Sequence, residues 1–324
     1  MAKKVKPTPQ KHYICFESTP ASQAFRRTAG DITRLLSTLY VALETLEVND
    51  PVRPDDLSFG WSMPSGPKEW EETRNFALRG AIVAIVDGLD QYMRVLSRVP
   101  GLVAPELDNT LNGRRGPGEE RRPTIAMRLS TLSTRYLGVV RDEHIAAMDL
   151  LTTWRNTFVH RDYRFGLSSS VRKSLVNSEL FFSKEHGGAD ILAALSRFEA
   201  RKPPTIIDLS TLVSSAQRIV RAIDEHLLQI QNGPTYAISL FRYAIAASDN
   251  AEAFVKHTFE RGGKQSVGRV HSTLLRLGGS NDRNHSPNAL VVTDLEMNRL
   301  FALSQTNAAE VFGISVTKAA PHRR

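Results

Sequence analysis

Arg155 and His160 carry the side chains in this sequence best suited to acting on a phosphate diester. An arginine presents a planar fork of donors to phosphate oxygens, and a histidine moves protons near neutral pH. Both lie in the stretch Trp154-Arg155-Asn156-Thr157-Phe158-Val159-His160-Arg161-Asp162-Tyr163, with the polar Asn156 next to the arginine. Spacing alone is weak evidence. With 9 histidines, and almost three arginines for every lysine among 42 basic residues, chance supplies roughly one such pair. A second pair, Arg221 and His226, is an internal control. There Ala222 follows the arginine and Asp224 and Glu225 precede the histidine, which reads as a surface ion-pair pattern in mid-helix.

The element that must position the first pair is an apolar-periodic run from Asp142 to His160, with Gly166 beyond it as a stop. At 100° per residue, Ala147, Leu151, Trp154 and Phe158 share one arc, flanked by Met148 and Val159. Asp149, Asn156 and His160 fall on the other side. Arg155 projects inside the apolar arc, so it must snorkel, pair with an acid, or face something other than core. Five helical residues separate Arg155 from His160 by about 140° and roughly 7.5 Å of rise. The two would not converge well on one phosphate within a single chain. Two copies of the helix end related by a dyad could supply one convergent cleft.

Further elements follow in order. Residues 1 to about 20 read as a polar, proline-punctuated tail. A helix is expected from Ser22 to Glu47, with Ile32, Leu35, Leu36, Leu39, Tyr40, Leu43 and Leu46 on one face. After a Pro- and Gly-rich loop, Lys68 to Val99 is expected as the longest helix, opening with Glu69, Glu71 and Glu72. Gly113 to Pro123 is a surface loop, and helices are expected over Thr124–Val140 and Asp142–His160. The segment from Leu167 to Lys202 is less regular, with Ser168-Ser169-Ser170 serving as a helix cap. Asp208 or Ser210 caps a helix running to Gln231, which Asn232-Gly233-Pro234 stops. The last ninety residues give helices over Thr235–Ala247, Ala251–Glu260, Ser266–Leu277 and Asp294–Phe312, the last opening with the capping box Thr293-x-x-Glu296. Ala289 to Val292 is ambiguous between helix and strand. No alternating pattern persists beyond four residues, so the class is all-α.

Composition bounds the remaining possibilities. A chain of 324 residues, 41% hydrophobic and 23% charged, is ordinary globular usage with room for a full core. A formal net charge of +8 suits a polyanionic partner, although a GC-rich genome would also favour arginine over lysine. The lone Cys15 excludes an internal disulfide and a thiolate zinc site, and suits a reducing cytosol. The basic N-terminus lacks a following apolar run, and Ala81 to Val86 is too short to span a bilayer, so a cytoplasmic protein without a membrane partner is expected. The sequence holds no Gly-rich phosphate loop, Gly-x-Ser-x-Gly elbow or zinc-ligand spacing.

Trp154 to Tyr163 resembles the signature of the HEPN superfamily: arginine, a polar residue, three residues, then histidine. That resemblance implies a bundle of four core helices with the motif at the end of the third. Here these would be Lys68–Val99, Thr124–Val140, Asp142–His160 and Asp208–Gln231, about half the chain. The division implied is 1–65 for an N-terminal tail, helix and loop, 66–232 for the HEPN-like bundle, and 233–324 for a C-terminal helical extension. The resemblance further implies a metal-independent endoribonuclease without cofactor, acting as a homodimer with a composite site. Arg155 would stabilise phosphate charge, His160 would shuttle protons, and Asn156 would orient the histidine or the RNA. Arg161, Tyr163 and Arg164 would contact RNA. One toxin subgroup continues His-x-Tyr, whereas the tyrosine here is one place later, at Tyr163. By analogy the context would be toxin action or antiphage defence, with an inhibitory or sensor protein as a further partner.

The plainer alternatives remain open. His160 could close the last helix carbonyls, and Arg155 could pair with Asp87 or Asp90 on the long helix. The fold could then serve as a non-catalytic RNA-binding or scaffold module. A DNA-binding regulator is the third reading, resting on Arg269 and Arg276 in the helix after Gly262-Gly263.

Overall fold

The computed structural model describes residues 13–48, 66–115, 122–160, 166–282 and 285–314. Among them the fold is all-α, with one small three-stranded sheet. In chain order the first elements are β1 (Ile14–Phe16), α1 (Pro20–Val48), α2 (Pro67–Arg98), α3 (Asp108–Leu111), α4 (Ile125–Arg135) and α5 (Asp142–Val159). Three short helices follow, α6 (Ser169–Asn177), α7 (Glu179–Glu185) and α8 (Ile191–Glu199), then the long α9 (Ile206–Gln229). The chain continues through α10 (Gly233–Ala246), α11 (Ala251–Phe259), α12 (Gly263–Arg276), β2 (Gly279–Ser280), β3 (Leu290–Val292), α13 (Asp294–Phe301) and α14 (Gln305–Phe312). No helix among the described residues is long and apolar enough to cross a membrane.

Two compact units form. One comprises Met1–Pro20, Val95–Asp108 and Asp224–Arg324; the other comprises Ala21–Arg94 and Asn109–Ile223. The units therefore interleave along the sequence, and their boundaries fall inside α2 and α9.

The first unit corrects the expected N-terminal tail. Ile14, Cys15 and Phe16 are fully buried and form the central strand of the sheet, in the order β2-β1-β3. Both neighbours are antiparallel, with Cys15 opposite Ser280 on one side and Val291 on the other. A three-residue strand covered on both faces has no alternation to show, which is why its pattern was silent. Asn232-Gly233-Pro234 does more than end α9, because the Asn232 side chain accepts from the Thr235 amide and caps α10. Gly233 also permits close approach: a Cβ there would lie 2.2 Å from the Val291 carbonyl oxygen. The expected Asp294–Phe312 helix is two helices. Its Thr293–Glu296 capping box forms as expected, but Ser304 caps a new start at α14. Phe241 holds the helical core of this unit, its ring centroid 5.6 Å from Phe259 and 5.2 Å from Phe312.

In the second unit, Phe25 of α1 meets Tyr92 of α2, while α5 packs between α4 and α6. Leu36 and Leu43 of α1 are buried, but Leu35 is 58% exposed, so the expected apolar face of α1 is narrower than its period suggests. The expected helix ending at Val140 stops at Arg135. Leu137 adopts φ 61°, and the Gly138 amide reaches back to the Ser133 carbonyl, closing α4 with a left-handed turn. Ser168 caps α6 as expected, accepting from the Val171 amide. The start of α9 lies earlier than expected. Thr205 accepts from the Asp208 amide at 3.2 Å, and Asp208 accepts from the Thr205 amide at 2.7 Å, a reciprocal cap.

Candidate functional site

Helix α5 sets the site. Its apolar arc is buried as expected through Ala147, Met148, Leu151 and Trp154, and Leu150, Thr152 and Thr153 are buried too. Trp154 is the anchor: its indole donates to the Lys202 carbonyl at 3.3 Å, and its ring stands edge-on to Phe198. From Arg155 onward the helix leaves the core. Arg155, Asn156 and Phe158 are half-buried, whereas Val159 and His160 are exposed. Arg155 is thus an exit residue rather than a cation enclosed by apolar side chains.

The Arg155 guanidinium makes two long contacts. Nη2 donates to Asp87 Oδ1 and Nη1 to Asn156 Oδ1, each at 3.4 Å. Its Nε is buried without a partner among the described residues. Asp87, 63% exposed, is the acid that the plainer alternative named, so that pairing is present. Asp90 is not available to Arg155, because Arg94 and Arg128 both donate to it. Next to Arg155, the Arg79 guanidinium lies over the Phe158 ring at 5.3 Å.

His160 takes the C-cap position, its amide donating to the Asn156 carbonyl at 3.0 Å and its backbone turning extended at φ −116°. The imidazole is exposed and has no hydrogen-bond partner among the described residues, so it does not close the helix carbonyls. Arg161, Tyr163 and Arg164 lie outside the described residues. Most of the Gly113–Pro123 loop does as well.

No family model matches this chain, and no curated protein or solved structure matches it. Among the described residues no cluster of three or more histidine, cysteine or acidic side chains could hold a metal ion.

The internal control departs from its expected ion-pair pattern. Arg221 forms no salt bridge among the described residues, and Asp224 is buried, accepting from the Thr19 amide at 3.0 Å and from the Thr19 hydroxyl. That stretch is structural. Likewise Arg269 donates to the His257 carbonyl at the end of α11 and Arg276 to the Thr273 hydroxyl, so both proposed recognition arginines have internal partners.

Asp149 falls on the polar side of α5 by helical period, and the sequence assigns it no role. It lies on one line with Asn156 and His160, within about 20° at helical spacing. Burial pushes its carboxyl up to about 6, and no described donor offsets that. A carboxylic acid with a raised folded pKa favours folding most below the unfolded value near 3.8, and that contribution is lost as pH rises through about 6. Asp149→Asn is therefore expected to stabilise the protein at pH 7.5 by about 1 kcal/mol, allowing for solvent screening of a partly exposed group. At pH 4 the gain should vanish. Urea denaturation at the two pH values measures it, and an equal effect at both would show that desolvation is not the cause.

Proposed function

We propose that this protein is a metal-independent endoribonuclease whose active site is completed by a second copy of the chain. The observation that carries the reading is the end of α5, where an exposed His160 without a hydrogen-bond partner among the described residues stands beyond a loosely paired Arg155 and the polar Asn156. One imidazole takes the proton from a ribose 2′-hydroxyl, whose oxygen attacks the adjacent phosphorus. The partner's imidazole gives a proton to the departing 5′-oxygen, leaving a 2′,3′-cyclic phosphate and a 5′-hydroxyl. Arginine forks neutralise the charge that builds on the non-bridging oxygens. The chain's positive balance favours such a substrate.

The surface beside the motif suits a second copy. Phe76 on α2 is 79% exposed and Val159 on α5 is 45% exposed, apolar area that a monomer would leave in water. Gly80, about one turn along α2 from Phe76, is exposed and a Cβ built there meets nothing within 4 Å, so another helix can come close there. Toxin action or defence, with a restraining protein partner, follows only by analogy with the HEPN superfamily.

A non-catalytic RNA-binding module with the same fold is the competing reading, and the Arg155–Asp87 pair is the observation that favours it. Incubating structured and single-stranded RNA with the protein in excess EDTA separates the two. Cleavage that persists and leaves 2′,3′-cyclic phosphate ends is expected. Binding without cleavage of any RNA would decide for the module.

A further inference from the structure

At the opposite end of α5 from the motif, four rings from two elements close on one another. His144, in the first turn of α5, is 6% exposed and stands edge-on to Phe181, with ring centroids 5.1 Å apart. It is also edge-on to Phe182 and to His186, whose centroid lies 6.0 Å away. His186, the C-cap of α7, stacks on the fully buried Phe182 at 5.6 Å. Its Nε2 lies 3.5 Å from the Oγ of Ser215, a buried residue of α9. The Nδ1 of His144 is buried with no partner among the described residues.

The charges around this cluster are mostly of one sign. Arg141, the N-cap of α5, lies over the Phe181 ring at 5.3 Å. Arg218 of α9 donates to the Glu185 carbonyl at 3.2 Å and pairs with the Glu185 carboxylate at 2.7 Å. Among the described residues Glu185 is the one acid acting on either histidine, and it is already engaged. In the neighbouring short helices, Arg172 of α6 pairs with Glu199 at the end of α8, and Arg197 of α8 pairs with Asp208 of α9. A proton added to His144 would therefore meet His186, Arg141 and Arg218, with no free carboxylate among the described residues to receive it.

We propose that the His144–His186 pair is an acid-released latch. Neutral, it packs α7 against the first turn of α5 and against Ser215 of α9. Protonated, it lets α7 go. The seven residues of α7 are too few to hold a helix alone in water, so its order depends on this packing. Burial, then the neighbouring His186, Arg218 and Arg141, depress the His144 pKa to about 4. Burial and Arg218 lower that of His186 as well. A histidine depressed in this way contributes its full stability above the unfolded value near 6.5 and loses it as pH falls toward about 4. Across that window the equilibrium for opening shifts toward the open form by about tenfold per pH unit for each proton taken up. Asp149 has the opposite sign in much of the same range, so the latch is read locally and not from global stability.

Hydrogen exchange on the full-length protein tests this. After correction for intrinsic rates, protection of residues 179–186 is expected to fall at least tenfold relative to mid-α9 between pH 6.5 and 5. In His144→Phe, which keeps a ring and leaves only His186 to take up a proton, the loss of α7 protection across the range should be clearly smaller than in the wild type. Undiminished wild-type protection, or equal loss in His144→Phe, would overturn the latch. The wild-type protein gives an independent check by NMR, which serves if the variant does not fold. A His144 ring resonance that titrates below pH 5 supports the latch, and one that titrates near 6.5 overturns it.

Discussion

Alanine at His160 is expected to lower the rate of RNA cleavage by about 10²–10⁴, the range that a positioned acid–base group contributes. Alanine at Arg155 should lower it by about 10²–10³, through loss of charge stabilisation at phosphorus. Neither change should unfold the protein. The His160 imidazole has no partner among the described residues, and the Arg155–Asp87 contact is long and involves a carboxylate 63% exposed, so its loss costs under about 1 kcal/mol. Melting temperatures measured beside cleavage rates keep a loss of chemistry apart from a loss of fold. Arg221→Ala and His226→Ala share the spacing and should leave the rate within about twofold, since Asp224 between them is buried against Thr19 and His226, in the last turn of α9, is half-buried rather than exposed. The reverse pattern, with Arg221 and His226 essential and Arg155 and His160 dispensable, would remove the motif assignment entirely. It would also leave the EDTA result, if positive, in need of a different site.

Legibility of the fold in the sequence depended on how local each signal was. The Ser168 cap and the Thr293–Glu296 box were readable because a side chain and an amide three residues on decide them. The strand at Ile14 was not, because its hydrogen bonds run to residues more than 260 positions away. The stop of α4 at Arg135 was hidden by Leu137, a residue that rarely takes positive φ and gives no warning of it. The break between α13 and α14 was masked by apolar spacing that continues through Ala302 and Leu303, with Ser304 the only cue. At the site, the polar line of Asp149, Asn156 and His160 was visible from helical period. The burial that raises the Asp149 pKa was not, since it comes from packing around α5 rather than from α5 itself.

The partner of Arg155 shows the same limit, because Asp87 and Asp90 stand one turn apart on α2 and the sequence offered either. Tertiary structure decides between them. Arg128 of α4, its side chain 4% exposed, donates through one nitrogen to Asp90 and through another to the Leu111 carbonyl. Arg94 adds a bond to Asp90 at 2.6 Å. Burial pushes the Asp90 carboxyl up, but the hydrogen bonds and charges of Arg128 and Arg94 outweigh it and hold the pKa below the usual range. Asp90→Ala would leave the buried guanidinium of Arg128 without its counter-charge, and is expected to cost about 3–5 kcal/mol. Asp87→Ala should cost less than about 1 kcal/mol, for a contact that is long and open to water. Chemical denaturation of the two variants side by side measures the contrast. Comparable losses would mean that Arg155 is held as firmly as Arg128 is, and the guanidinium would then not be free to turn toward a phosphate. A large loss at Asp90 with a small one at Asp87 leaves Arg155 weakly tethered, as an arginine that must exchange a carboxylate for a substrate has to be.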